Sequence, residues 1–244
     1  MNKHSSILWL MIQSSFWKVL ALLAGTAAAQ TVFFRQAVQQ LQPGNYGLEQ
    51  ALAGGHVAGI AGIGFVCITV ILCMTGAERA NGKTIYTLQR LSVSERTVLL
   101  WQAVYNGSCY LLLWVSQVLV MMGLAQWYTR IADPSMVTSQ TVFLAYYRNE
   151  YLHGLLPMLE LDHWFRNGIM LVALGLSSAY FTYAQRRRQK NGELITMVLT
   201  VLWLFCDHIN SEGEWLVSLI SFICLSSVVK VLWKLKREEE AHEA

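Results

Sequence analysis

Long apolar runs separated by short charged stretches set the limits on how this chain can fold. The runs lie at about 16–34, 56–75, 98–128, 168–184, 194–208 and 215–235. Of the 244 residues, 55% are hydrophobic and 14% charged, and the charges fall almost entirely between the runs. A helix of about 20 apolar residues is what a bilayer crossing requires. Inside lipid every backbone N–H and C=O must be satisfied within the protein, so helices are the solution for such runs. The pattern predicts an all-α polytopic membrane protein with six transmembrane helices, forming a single transmembrane domain over 1–244. The bilayer is therefore its first partner.

Residues 5–15 are apolar but short, and Lys3 and Lys18 flank them. They are expected to form an amphipathic interfacial helix leading into the first span. Lys18 with Ala27, Ala28 and Ala29 before Gln30 imitates a signal peptide and its cleavage site. The apolar run continues through Phe34, past that point, which favours an uncleaved span. In the second run Ala58, Gly59, Ala61, Gly62 and Gly64 make a small-residue face suited to close helix packing. Asn106, Gly107 and Ser108 interrupt the third run and predict a kink, and Gln117 is a polar residue near its middle. The segment 130–166 is the longest outside the spans. It reads as two short interfacial helices, 143–151 and 152–161, broken at Gly154 and Pro157.

The eighteen basic residues are distributed unevenly. Fourteen, among them Lys3, Arg79, Lys83, Arg90, Arg96, Arg186, Arg187, Arg188 and Lys236, fall on one set of loops and ends. Only Arg35, Arg130, Arg148 and Arg166 fall on the other. The alternation fits six spans with both termini cytoplasmic and the segment 130–166 outside.

Several chemistries are excluded or disfavoured. No G-x-x-x-x-G-K-[ST] is present, so no P-loop holds a nucleotide, and no H-E-x-x-H suggests a zinc hydrolase. No basic stripe with interleaved aromatics points to nucleic acid. The five cysteines, Cys67, Cys73, Cys109, Cys206 and Cys224, sit in or at the ends of apolar runs without metal-ligand spacing. Ser177 and His208 invite an intramembrane serine protease, but they lie at different depths of neighbouring spans. His153, Glu160, Asp162 and His163 are candidate metal ligands in the outer segment; charges on an interfacial helix explain them better. No carboxylate is expected at mid-bilayer, where ion-coupled transporters place such groups. A transporter built this way draws its energy from elsewhere, and no catalytic site, metal or cofactor is expected in the chain itself.

The stretch 79–102 is polar and basic between two apolar runs. Ile85, Leu88 and Leu91 recur every third residue, with Tyr86 beside them, and predict an apolar strip on a short cytoplasmic helix over about 82–92. Lys83, Arg90 and Arg96 flank the strip. Ser92 or Ser94 can cap a new helix beginning at Glu95. Within it, Thr87-Leu88-Gln89-Arg90-Leu91-Ser92-Val93-Ser94-Glu95-Arg96 resembles the t-L-x-x-L-P-[VI]-S-R segment of ABC-2-type ATP-binding-cassette permease subunits. Ser92 stands where that family commonly has Pro, and Glu95 displaces the Arg by one position. The resemblance extends to the six-span topology. It implies a permease subunit of a bacterial exporter in the cytoplasmic membrane, paired with a second permease subunit. It also implies that Lys83, Ile85, Tyr86, Leu88, Arg90, Leu91 and Arg96 dock on separate ATPase subunits, which carry the ATP and Mg. The alternative from another class is a non-transporting scaffold or sensor that recruits a soluble partner through the same helix. A third possibility is that the helix rests on anionic lipid.

Overall fold

The computed structural model describes residues 3–40, 47–81, 94–131, 139–156, 161–206 and 211–243. In chain order its helices are α1 (Lys3–Gln40), α2 (Leu48–Gly54), α3 (Val57–Asn81), α4 (Glu95–Ile131), α5 (Ser139–Arg148), α6 (Glu150–Leu155), α7 (Leu161–Arg186), α8 (Glu193–Cys206) and α9 (Ser211–Glu243). No strand occurs among the described residues. The segments Leu8–Gln40, Val57–Thr75, Glu95–Ile131 and Gly213–Ala241 are each long and apolar enough to cross a membrane. The two remaining expected spans are of a different kind. α7 has 26 residues but carries His163, Arg166, Asn167, Ser177, Ser178 and Thr182. α8 has 14 residues and rises only about 21 Å, less than the roughly 30 Å hydrocarbon core of a bilayer.

α7 is polar because it is the inner helix. It packs against α4 most extensively, then α9, α3 and α8. Its Ala173, Gly175, Ser177, Ser178, Ala179, Thr182 and Ala184 are all buried. The apolar surface faces outward instead, through side chains such as Phe16, Trp17, Ile63, Val70, Leu112, Leu119, Leu199, Leu219 and Phe222. In water this exterior would be a severe aggregation liability; in lipid it is the solvated side. Trp215 and Trp233 are both exposed on α9, and their 18-residue separation corresponds to about 27 Å of helix. That spacing matches aromatic anchors at the two bilayer interfaces.

One end of the bundle collects the early turns of α1, the start of α4, the end of α7 and the later turns of α9. It is the basic end. The other, far end carries α2, α5 and α6. Three apolar clusters stack between them. Leu99, Tyr180, Tyr183 and Val228 lie toward the basic end. Phe65, Ile68, Leu72, Tyr110, Leu113 and Met197 form the middle, and Phe34, Leu52, Met121, Leu124 and Leu152 the far end.

α4 and α7 meet at two glycines. A Cβ on Gly175 would lie 2.9 Å from the Ala103 carbonyl oxygen and 3.0 Å from the Gly107 Cα. From this crossing toward the C-terminus of α7, Asn106 Nδ2 donates to Ser178 Oγ and Gln102 Nε2 to Thr182 Oγ1, both at 2.8 Å. Small residues that let backbones approach, reinforced by interhelical hydrogen bonds, substitute for the hydrophobic effect that lipid cannot supply between helices. At Asn106–Ser108, where a kink is expected, α4 continues as helix; Asn106 and Gly107 meet α7 there, while Ser108 is exposed and bonds back to the Val104 carbonyl.

The N-terminus also differs from expectation. No break separates 5–15 from the span; α1 is continuous. Met11 and Ser15 are buried, and Ser15 Oγ shares a 2.6 Å hydrogen bond with the Tyr105 hydroxyl of α4. That docking holds the first turns along the bundle. In the second run the small-residue face is used unequally. Gly64 packs on Thr26 of α1 and Gly62 on Leu202 and Phe205 of α8, while Gly59 faces open space. In the outer segment the break between the short helices falls at Asn149, whose side-chain oxygen caps α6 by accepting from Leu152 N at 3.1 Å.

Gly175→Ala is expected to push the two backbones apart and cost about 1–3 kcal/mol. Gly168→Ala, on the same helix with open space beside it, should be neutral or slightly stabilising. Thermal unfolding of the detergent-solubilised protein, with both variants beside the parent, checks the difference.

Candidate functional site

Six of the seven docking residues expected from the sequence, Lys83, Ile85, Tyr86, Leu88, Arg90 and Leu91, lie outside the described residues. The seventh, Arg96, is in the first turn of α4, half-buried, with its Nε without a hydrogen-bond partner among the described residues. Ser94 caps α4 as expected: its hydroxyl accepts from Thr97 N at 3.3 Å. Beside it Glu95, whose charge suits a helix N-terminus, reaches across to α7. The Glu95 Oε2 to Arg187 Nη2 distance is 2.6 Å, and this hydrogen bond raises the Arg187 guanidinium above its ordinary pKa. Arg187 also lies 5.0 Å over the Tyr183 ring, a cation–π contact. The chain thus leaves the segment 82–93 into a helix start that is tied to the end of the inner helix.

A second polar assembly occupies the far end and had little signal in the sequence. Arg166 is 4% exposed and His163 6% exposed. Glu214 Oε1 serves both: His163 Nε2 lies 2.6 Å away and Arg166 Nη1 3.1 Å. Arg166 Nε and Nη2 also donate to Asn167 Oδ1 at 3.4 Å. Asn167 Nδ2 donates to the Gly154 carbonyl at 3.1 Å, and Trp114 Nε1 to the Leu155 carbonyl at 3.1 Å. These last two bonds satisfy carbonyls at the end of α6 that a helix terminus leaves open. Arg166, assigned to the outer loops by charge counting, is therefore inside the bundle, where α6, α7 and α9 converge.

Deeper in, Gln30 of α1 and Gln117 of α4 are joined. Gln30 Nε2 donates to Gln117 Oε1 at 2.6 Å and to the Val57 carbonyl at 3.2 Å. The Tyr151 hydroxyl donates to the same Gln117 oxygen at 3.0 Å. Gln30 is wholly buried and Gln117 nearly so. Tyr151 separates this pair from two adjoining cavities that share Tyr151, Leu204 and Phe205. One, of about 90 Å³, reaches Arg166 and Asn167. The other, of about 350 Å³, opens between α2, α5, α6 and α8.

The other chemistries considered from the sequence fare as follows. Ser177 is fully buried in the bundle, with no path for a substrate to its hydroxyl, and His208 lies outside the described residues. His153 and His163 do come together, with ring centroids 5.4 Å apart at 89°. That is an edge-to-face contact, with His163 Nε2 directed at Glu214, not a pair of nitrogens converging on an ion. Asp162 is exposed and Glu160 lies outside the described residues. Among the described residues no group of three or more His, Cys, Asp or Glu could hold a metal.

Family models, curated proteins and solved structures offer no match to this chain.

Removing the shared carboxylate should be costly because it leaves Arg166 charged and buried. Breaking a fully buried pair costs about 3–5 kcal/mol. Glu214 keeps 28% of its side chain exposed, so Glu214→Ala is expected to lose about 2 kcal/mol, and Glu214→Gln less. Urea or thermal unfolding of the solubilised protein measures both.

Proposed function

We propose that this multi-pass membrane protein is the permease subunit of an ABC-2-type exporter in a bacterial cytoplasmic membrane. In this reading α7 and α8 are the fourth and fifth of six spans, the bilayer thinning locally around the short α8; both termini are cytoplasmic, and the chain forms half of a translocation path with a second permease subunit. Separate ATPase subunits hydrolyse ATP with Mg, and this chain has no catalytic role.

What supports the reading is the basic sequence 82–92 with its apolar repeat, which links α3 to α4. Ile85, Leu88 and Leu91 fill a groove on the ATPase; Lys83, Arg90 and Arg96 meet its rim. Motion of that segment reaches the bundle through Ser94 and Glu95, because Glu95 is bonded to Arg187 at the end of α7. The inner helix carries it on through the α4–α7 crossing. The scarcity of charge at mid-depth supports an energy source outside the chain. The apolar exterior and large aromatic complement leave the cargo class open.

The test is retention of the ATPase on the detergent-solubilised permease. Leu88→Ala with Leu91→Ala should lose about 2 kcal/mol or more of docking energy, roughly a thirtyfold weakening. Arg90→Glu should weaken docking further in a way that fades with salt. Equal retention, with an unchanged size-exclusion profile, would remove 82–92 as the docking element. Retention without cargo-stimulated turnover would favour the scaffold.

Orientation is checked separately. Cysteines introduced at Asn45 and Ser139 should react with an impermeant thiol reagent in intact cells, and those at Gly82 and Asn191 should not. Labelling at Gly82 from outside would place the segment on the wrong side for an ATPase.

A further inference from the structure

The larger far-end cavity presents opposite charges that are not joined to each other. Glu49 of α2 and Arg148 at the end of α5 both line it. Among the described residues neither has an ion-pair partner, although elsewhere Glu214 takes Arg166 and His163 and Glu95 takes Arg187. Asn149 also lines the cavity. Its side-chain oxygen is committed to the α6 cap, so what remains to it are amide hydrogens to donate. Leu52, Val57 and Phe205 supply apolar wall. A volume of about 350 Å³ lies in the range of small-molecule sites.

From this arrangement we propose that the cavity binds a zwitterion bearing an apolar group. Its ammonium faces Glu49. Its carboxylate or phosphate faces Arg148, whose planar guanidinium suits two-oxygen recognition, with the Asn149 amide as a further donor. The apolar part lies on Leu52, Val57 and Phe205. A ligand carrying one charge would leave the opposite side chain facing it without a partner, so singly charged analogues are disfavoured. The same chemistry is found in a free short peptide and in the headgroup region of an ethanolamine phospholipid. The inference stands apart from the exporter reading, because equilibrium binding to the purified chain requires no ATPase.

Equilibrium dialysis of the purified full chain in detergent tests it, with two radiolabelled probes: leucyl-leucine and dihexanoyl phosphatidylethanolamine. Saturable binding of the dipeptide identifies a free zwitterion as the ligand; binding of the lipid alone identifies a headgroup. In the peptide arm, N-acetyl-leucyl-leucine and leucyl-leucine amide should compete about tenfold less well than leucyl-leucine. In the lipid arm, dihexanoyl phosphatidic acid should be the correspondingly poor competitor. Glu49→Gln and Arg148→Gln should each weaken the bound probe about tenfold. The double exchange Glu49→Arg with Arg148→Glu should recover most of the loss, since a zwitterion can reverse. Glu49 is only half-buried and Arg148 exposed, and size exclusion confirms that the variants remain folded. Failure of both probes to bind saturably overturns the proposal, as does equal competition by the singly charged analogues. Unchanged binding in both single variants would overturn it too. The analogue comparison uses the unaltered chain and decides the matter even if a variant misfolds.

Discussion

Gly175 allows the backbone of α7 to lie directly against α4, and the architecture depends on that approach. With no Cβ in the way, the Gly107 and Gly175 backbones come within van der Waals range. The flanking side chains then reach across as hydrogen-bonded pairs, Gln102 with Thr182 and Asn106 with Ser178. Dispersion and hydrogen bonding, each modest, act together here because lipid offers no hydrophobic drive to bring helices together. Once α7 is fixed on α4, its remaining faces are available to α3, α8 and α9. The polar helix becomes the inside of the bundle, and the apolar helices become its contact with lipid.

The same inversion governs the two ends. Polar groups drawn inside must find partners, and they do so by linking helices distant in sequence. Glu214 holds α9 to α7 through Arg166 and His163. Gln30 and Gln117 connect α1, α4 and, through Tyr151, α6. At the basic end Glu95 ties the start of α4 to the end of α7. The start of α4, into which the proposed coupling segment leads, and the proposed ligand cavity thus sit at opposite ends of one connected helical frame. The inner helix α7 runs between the two ends: Arg187 at its basic end meets Glu95, and Arg166 near its far end lines the smaller cavity, which adjoins the larger one at Tyr151, Leu204 and Phe205. Within the exporter reading, that shared helix is the physical route by which one end can sense the other.

Much of the frame was legible in the sequence because its cause is local. Apolar length alone marks α1, α3, α4 and α9, and Ser94 before Glu95 marks the start of α4. Gln117 stood out as a polar residue in an apolar run, but its partner Gln30 did not, since it sat toward the edge of the run beside Ala27, Ala28 and Ala29. Glu49 and Arg148 gave no signal at all: each is an ordinary charge on a short helix until α2 and α5 fold beside each other. Charge counting grouped Arg166 with the outer loops and could not tell that it is buried in α7.

Hydrophobic length and backbone satisfaction determined, from the sequence by itself, that this chain is helical with several helices long and apolar enough to cross a membrane, because those requirements act within each segment. Tertiary structure alone decided which helix is inner and which faces lipid. That choice rests on a glycine meeting a glycine from a different helix, and no property of either residue announces the other. It also decided where the polar side chains converge. Arg166 meets Glu214, and Glu49 and Arg148 come to line one cavity, only when helices far apart in the chain have packed.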